Sequence, residues 1–518
     1  MPISFNFIQN NLRVPTVTAE IDNSNAIGGL GGDPQRILLI GQKLKEGTAE
    51  TNKPLLIADT LQADKKFGQG SMLARMFTRC IDNNTTNPIW CIALDDDANS
   101  TAAKHTLTVT GTATSEGLLH LYIAGVPTKV LVKAGDSGEV VVNNLKAELA
   151  KPKYASLPLK VDATAASTAT SGGSSTSSTS NTAAAAKNTL VLIAKNKGEN
   201  GNKIDIRENR FASEETPGGL TTLITLAEQN SDTSHKGSGN PIIQTNDAND
   251  DDTIAAMAKE QYHYIAMPYT DELNLKALED ELSARWQPPL EIDGHAFTVL
   301  DAPYTKLVEL GDKRNNPHLT IIGVNKSSTP PEERAAALTG VAARELSNDP
   351  ALPLQTVRIR GVQAPDVGDR FSFQQKNLLL DGSGISIENY GNDGSVTIGR
   401  LITTYQTDDS YFDVNILATL SRLRITWKAR MQQLYARKKL VKQGTGIKNA
   451  VTPDDIRSQT ISLARIWEEN GWIENLNQFS KDIVAEIDNG DPNRVNVKLV
   501  PDLVNQLRVL AAKFSYLI

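Results

Sequence analysis

The sequence predicts an α/β (α+β) multidomain protein. An α/β core domain carries an inserted all-β domain and is followed by a C-terminal α+β domain, with extended arms at both chain ends. Three observations predict this. Apolar runs of strand length alternate with amphipathic runs of helix length on either side of residues 98–230, the rhythm of a sheet covered by helices. Within residues 98–230 that rhythm gives way to short alternating strands punctuated by glycine. Both chain ends are apolar and extended, whereas termini are ordinarily polar and frayed. The boundaries read from these changes are a 1–25 arm, 26–97 plus 231–360 as the α/β domain, 98–230 as the insertion and a 506–518 arm, which leaves 361–505 as a further C-terminal segment.

At the N-terminus Ile3, Phe5 and Phe7 alternate with Ser4 and Asn6. Val14 to Ile21, which includes Val17, follows as a proline-containing extended piece that resists helix formation. Arg36–Gly41 (RILLIG) reads as a buried strand, Ser71–Ile81 as a helix and Ile89–Leu94 as a second buried strand. From Thr106 the pattern is that of a small sandwich or barrel with one helix near Val141–Leu149. Ala163–Lys187 consists almost wholly of Ala, Ser, Thr and Gly, so it is expected to be a flexible surface loop. A strand resumes at Leu190–Ala194. The core rhythm then returns: helix Asp251–Gln261, strand Tyr264–Pro268, helix Asp271–Trp286, strands Ala296–Leu300 and His318–Val324, and helix Glu332–Leu346. Val396, Ile398, Leu401, Thr403 and Tyr405 supply the β-branched and aromatic content of a further strand, and a long helix starts near Tyr411. The closing run from Leu507 through Val509, Phe514 and Tyr516 to Ile518 ends without a polar tail. Both ends either pair with the parent domain's own sheet or exchange strands with neighbouring subunits.

The chain is long, 518 residues with 39% hydrophobic content, enough for several cores. A net charge of −7 argues against nucleic acid as a general partner. Cys80 and Cys91, the two cysteines, are too few for a disulfide scaffold or a metal cluster and suit a reducing compartment. The opening residues lack the pattern of a signal peptide, and no stretch reaches the roughly 18 apolar residues of a membrane span. Gly28–Gly32 precedes a strand instead of following one and opens no helix, so it is expected to be a hinge and not a phosphate loop. The six histidines (105, 120, 235, 263, 295 and 318) show no zinc spacing. Asp95–Asp97 and Asp250–Asp252 lack the alternation of a calcium loop and read as solvated turns and helix N-terminal charge. No nucleophile elbow follows a credible strand. The reading is therefore no enzyme and no cofactor.

One charge feature stands out. Between Ser421 and Lys442, Arg422, Arg424, Lys428, Arg430, Arg437, Lys438, Lys439 and Lys442 occur with no acid among them. Leu420, Leu423, Trp427, Met431 and Leu434 recur at helical spacing, so the segment reads as a helix with an apolar face and cations around the rest. It is either a solvated helix or a contact for an acidic protein surface; sparse exposed aromatics disfavour nucleic acid.

Several stretches carry a family resemblance: Arg400-Leu401-Ile402-Thr403-Thr404-Tyr405-Gln406; Ala194–Asn209 (AKNKGENGNKIDIREN); Lys376–Gly382 (KNLLLDG, with Lys where the family has Arg); Asp491–Arg494; and Pro501–Leu507. Together they resemble the contractile tail sheath proteins of Mu-like bacteriophages nearly end to end. The resemblance departs in the Ala163–Lys187 loop and at Gly384-Ile385-Ser386. It implies a structural subunit that polymerises as stacked hexameric rings around a tail tube and contracts to drive the tube through an envelope. It also implies an outward-facing insertion and a C-terminal sheath domain with exchanged terminal strands; the self-contained pattern of residues 98–230 itself predicts that the insertion can be removed without loss of assembly. Ile3, Phe5, Phe7, Val14, Val17, Leu507, Val509, Phe514, Tyr516 and Ile518 would form the inter-subunit arms, and Arg422, Lys428, Arg430, Arg437, Lys438 and Lys439 would face the tube. The implied partners are further copies, the tube, the baseplate and the tail terminator, with no direct nucleic-acid or membrane contact. The implied location is the virion, after assembly in the host cytoplasm. A surface-binding or adhesion module, or the sheath of a headless tailocin or other contractile device, is the alternative.

Overall fold

The computed structural model describes residues 35–162, 187–244, 252–257, 260–444 and 447–517. The Gly28–Gly32 run, residues 163–186 of the low-complexity loop, and Asp250 and Asp251 lie outside them. Residues 35–419 and 505–517 belong to one compact unit and residues 420–504 to another.

The first unit begins with β1 (Ile37–Gln42), β2 (Pro54–Ile57), α1 (Thr60–Phe67), α2 (Met72–Ile81) and β3 (Ile89–Leu94). The insertion supplies β4 (Lys104–Gly111), β5 (Gly117–Ile123), β6 (Val126–Val132), α3 (Gly138–Leu149), β7 (Leu159–Val161), β8 (Thr189–Ala194), β9 (Ile206–Glu208) and β10 (Leu220–Thr225). There follow α4 (Thr253–Met257), β11 (Tyr264–Ala266), α5 (Glu272–Trp286), β12 (His295–Asp301), α6 (Tyr304–Gly311), β13 (Leu319–Val324) and α7 (Pro331–Asn348). Next come β14 (Arg358–Ile359), α8 (Phe373–Gly382), β15 (Ile385–Tyr390), β16 (Val396–Arg400) and the start of α9 (Val414–Tyr435).

These strands build a nine-stranded sheet in the order β14-β16-β15-β13-β12-β11-β1-β3-β2. Its centre is parallel: β1 pairs with β11 and β3, β11 with β12, and β12 with β13. Such strands are covered on both faces, which is why Ile37, Leu38, Leu39 and Ile40 form an unbroken apolar run with no exposed surface. One cover is α7, whose Ala335, Ala336, Ala337, Val341 and Leu346 are buried. A methyl group on Gly340 would come 2.7 Å from the Cys80 carbonyl, so the glycine permits α2 and α7 to approach closely.

The sheet runs past residue 360, where the sequence places the start of another domain. β15 adds to β13 in parallel (Ile321↔Ile385, Ile322↔Ser386) and β16 returns antiparallel beside it. Ile385, Ile387, Val396 and Ile398 are buried there, which is the physical reason the segment joins the core. The strand also stops at Arg400 and does not continue to Tyr405. Beyond it Ile402 keeps only an isolated bridge to Asp413. Thr403 and Thr404 cross the interior by donating their hydroxyls to Tyr411 O (2.7 Å) and Asn316 O (3.0 Å).

The insertion forms a four-stranded sheet, β10-β4-β8-β7, and a three-stranded one, β6-β5-β9. Its separate core includes Leu107, Val109, Leu121, Val141, Leu145 and Leu190. Polar ties fix its root. Met72 N–H donates to Asn196 Oδ1 (2.8 Å), and Asn196 Nδ2 donates to Lys43 O (3.0 Å) and Asp96 Oδ1 (3.1 Å). Gln42 Nε2 donates to Asp96 Oδ1 (2.7 Å) and Lys197 O (2.8 Å). Asp96 is thus part of a joint, where the sequence suggests only a solvated turn. Further out, Arg207 meets Asp366 at 2.6 Å and Gln363 Nε2 donates to Gly125 O at 3.0 Å.

Two buried histidines are held neutral. His105 Nδ1 accepts from Ala227 N–H (3.1 Å) while Nε2 faces Gly201 O (3.1 Å), and burial lowers its pKa to about 4. Burial, then His318, lower that of His295 to about 3; its Nε2 lies 2.8 Å from Thr320 Oγ1, whose hydroxyl is given to Ile402 O. The unfolded chain takes up these protons near pH 6.5 and the folded chain does not, so stability is full above that pH and falls below it. Acidification from pH 7 to 5 is expected to cost about 2 kcal/mol per histidine. Urea unfolding at the two pH values measures it, and His295→Gln should flatten part of the slope.

In the second unit, α9 residues from Leu420 onward join β17 (Lys439–Leu440), β18 (Ala450–Val451), α10 (Pro453–Glu469), β19 (Ile473–Glu474), α11 (Leu476–Asp482), β20 (Val484–Ile487), β21 (Val495–Lys498) and β22 (Asp502–Leu503). Reciprocal indole–hydroxyl bonds lock α9 to α10: Trp427 Nε1 donates to Thr460 Oγ1 (3.1 Å) and Trp467 Nε1 to Thr426 Oγ1 (3.0 Å). Thr452 and Asp455 form a capping box that starts α10.

Candidate assembly interface

Ile3, Phe5, Phe7, Val14, Val17 and Ile518 lie outside the described residues. The other apolar residues named for the C-terminal arm are open to solvent: Val509, Phe514 and Tyr516 are 80%, 94% and 83% exposed, and Leu507 is 69% exposed. Residues 504–517 form no strand. The apolar side chains of this run therefore find no cover within their own unit.

The second unit carries the complementary feature. Among the described residues β20 and β21 pair only with each other, in the register Val484↔Lys498 to Ile487↔Val495. Each strand keeps one edge of N–H and C=O groups without a ladder partner among the described residues, and Val484 is exposed. A two-stranded hairpin is marginally stable alone, so an added strand would stabilise it.

The cationic segment divides in two. α9 ends at Tyr435, so Arg437, Lys438 and Lys439 do not continue the helix as the periodicity suggests. Lys439–Leu440 instead pairs in parallel with Ala450–Val451, and that pairing pulls the chain out of helical geometry. On the helix, Arg422 stacks over the Trp472 ring at 5.5 Å and Arg430 Nη2 lies 3.4 Å from Gln459 Oε1. Lys428 lies on the same helix. Arg437, Lys438, Lys439 and Lys442 are exposed.

The first amides of α2 are taken by Ser71 Oγ, which accepts from Ala74 N–H (3.1 Å), and by Asn196 Oδ1. A groove of about 680 Å³ lies beyond the carboxyl ends of β12 and β13, where doubly wound sheets hold ligands. Ion pairs join several of its charges, Lys203 with Glu228, Lys326 with Asp369, and Arg207 with Asp205 and Asp366, while Glu208, Arg210 and Asp301 also line it. Cys80 and Cys91 are buried free thiols whose pKa values burial pushes up. Among the described residues no group of His, Cys, Asp or Glu is arranged to hold a metal ion, and no helix is long and apolar enough to cross a membrane.

Sequence reasoning missed the internal ion pairs. Arg334, with no exposed side-chain surface, meets Glu388 at 2.5 Å. Asp413 is shared between Arg400 (2.8 Å) and Arg508 (3.0 Å). Opposite charges separated by 13, 54 and 95 residues, beyond one turn of a helix or a hairpin pair, carry no local signal of pairing.

Residues 243–404 match the phage tail sheath protein central domain, and residues 406–516 match the phage tail sheath C-terminal domain. The chain is 32% identical over 527 aligned residues to the Mu-like prophage FluMu tail sheath protein of Haemophilus influenzae, with the whole of both chains covered. The chain therefore belongs to the phage tail sheath protein family. Among solved structures it is similar to the sheath tail protein of Desulfitobacterium hafniense at 12% identity, covering 95% of this chain and 97% of that one with a TM-score of 0.48. It is also similar to the helical sheath of the anti-feeding prophage in the contracted state, at 12% identity and a TM-score of 0.48, covering 97% of this chain and 99% of that one.

Proposed function

We propose that this tail sheath protein is the repeating subunit of a contractile sheath. It polymerises as stacked hexameric rings around the tail tube and shortens to drive the tube through the host envelope. The observation that carries the reading is the uncovered apolar arm, Val509 to Leu517, on a chain whose β20–β21 hairpin has no further strand partner among the described residues. An arm of this kind adds a strand to a neighbour's sheet, where main-chain hydrogen bonds give the connection and alternate side chains set the register. Head-to-tail contacts that do not close on themselves generate a helical tube. No cofactor enters this scheme, since work is released when a metastable lattice relaxes to one with more buried contact. Arms 1–25 and 506–518 and an outward insertion at 98–230 are the working division, and of the sheath domain read at 361–505 the residues before 420 belong with the core sheet. The baseplate and tail terminator bound the polymer, which assembles in the host cytoplasm and resides in the virion, without direct contact to nucleic acid or membrane.

The experiment is truncation after Arg508, with a matching removal of residues 1–25. Each truncated chain is expected to remain folded and monomeric and to lose polymerisation. Continued tube growth would remove the arms from the mechanism.

The cationic turn is proposed to meet an acidic tube surface, with Arg422, Lys428 and Arg430 supporting it from the helix and Arg437, Lys438 and Lys439 at the contact. Because Arg430 is engaged with Gln459, the sharper test reverses Arg437, Lys438 and Lys442 to Glu. Tube binding is expected to fall by about tenfold or more while sheath self-association stays unchanged, and added salt should reproduce part of the loss, because exposed charges are screened over about 8–10 Å. Tube binding that ignores both the reversal and salt would exclude the contact.

A further inference from the structure

The C-terminal arm stays on its own unit for several residues before it departs. Gln506 Nε2 donates to Ala351 O at 2.9 Å, and Gln355 Nε2 donates to Leu507 O at 3.2 Å. Arg508 Nη2 donates to Asp413 Oδ1 at 3.0 Å, lies 3.4 Å from Asn415 Oδ1 and also meets Gln506 Oε1. The Arg508 side chain is only 13% exposed, unlike the described apolar residues that follow it, which are all exposed. Its acceptor is held from behind. Asp413 takes two further bonds from Arg400, Nε at 3.1 Å and Nη2 at 2.8 Å, and the Arg400 guanidinium sits 4.8 Å from the Phe412 ring centre. Asn415 is fixed in turn, donating to Pro350 O and Leu352 O, each at 2.8 Å.

We propose that Asp413 and Arg508 are positioning residues for the exchanged arm. Their clasp holds residues 506–508 in cis, so the transferable strand begins at Val509 and leaves its subunit from a fixed point. The inference rests on the strand-exchange reading above and sharpens it in two ways. The exchanging length shrinks to the residues after Arg508, which reach about 30 Å when extended. Fixing the root also lowers the entropy lost when the tip docks, so the clasp raises the effective concentration of the arm at its acceptor without contributing a contact there. Arg400 keeps Asp413 paired when Arg508 is changed, so the variant leaves no buried lone carboxylate.

The test is Arg508→Gln and Arg508→Lys in the full chain, beside the truncation after Arg508. Arg508→Gln is expected to raise the protein concentration needed for polymerisation by about tenfold or more, the effect of losing one charge-assisted hydrogen bond, with monomer melting unchanged. Arg508→Lys should recover part of the loss. Trypsin should cleave the parent monomer after Lys513 well before it cleaves after Arg508. If Arg508→Gln polymerises like the parent while truncation abolishes tubes, the clasp is overturned and strand exchange stands. If the truncated chain still polymerises, strand exchange itself fails. A sharp fall in melting temperature for Arg508→Gln, or equal tryptic cleavage at both sites, would also overturn the clasp by assigning Arg508 to the fold or releasing it from Asp413.

Discussion

Replacing Glu388 by alanine is expected to destabilise the large unit by about 3–5 kcal/mol, because it strands the Arg334 guanidinium in the interior. The pair is out of water, with side chains 0% and 1% exposed and Nη1 2.5 Å from Oε2. Arg334 would keep Ser327 Oγ (2.8 Å) and the Gln363 carbonyl, both neutral acceptors that do not offset a buried charge. The pair joins α7 to β15, and so joins the stretch beyond residue 360 to the rest of the sheet. Equilibrium urea unfolding at low protein concentration measures the change. Arg334→Met with Glu388→Leu should cost less than Glu388→Ala alone, since no lone charge remains. A loss below about 1 kcal/mol for the single variant would mean that the cavity admits water to the arginine.

Excising the insertion is expected to succeed or fail according to where the cuts fall. Removal of residues 98–230 takes Asn196 and Lys197 away. Met72 N–H and Lys43 O then lose their partners at the joint, and Gln42 Nε2 loses Lys197 O and keeps Asp96 Oδ1. At about 1–3 kcal/mol for each buried group left unsatisfied, the loss reaches several kcal/mol, a large share of a domain's stability. A root-preserving deletion avoids this. Ala194 N–H donates to Ala103 O at 2.8 Å, and Asn202 exchanges bonds of 2.8 and 2.7 Å with Gly237. Short linkers can therefore replace residues 104–193 and 203–236 while 194–202 stays in place. Thermal melts should place this chain close to the parent and the 98–230 deletion far below it. Equal melting of the two deletions would mean that the joint contributes nothing.

Much of the core was legible from residue pattern because its strands are buried on both faces and read as unbroken apolar runs. Ile37–Ile40, Ile89–Leu94 and Leu319–Val324 declare themselves this way. What the pattern could not show was set by distant partners. Ile385–Tyr390 reads equally well as part of a separate domain until Ile321 and Ile322 are seen beside it. The end of α9 depends on Ala450–Val451, which no helical periodicity reports. Pro54–Ile57 escaped notice because an edge strand of four residues has little periodicity to read. At the assembly surfaces the apolar C-terminus was plain from composition. The clasp at Asp413 was not, since Arg400 and Arg508 are more than a hundred residues apart in sequence and meet only in the fold.

The central claim is that identical subunits are joined by exchanged arms into a tube. Negative-stain microscopy of the purified full chain beside the chain ending at Arg508, with melting curves for both, tests it most directly. The account predicts rings or tubes with sixfold symmetry from the first and a monodisperse folded monomer of unchanged melting temperature from the second. Tubes from the truncated chain, or a sharp fall in its melting temperature, would contradict it.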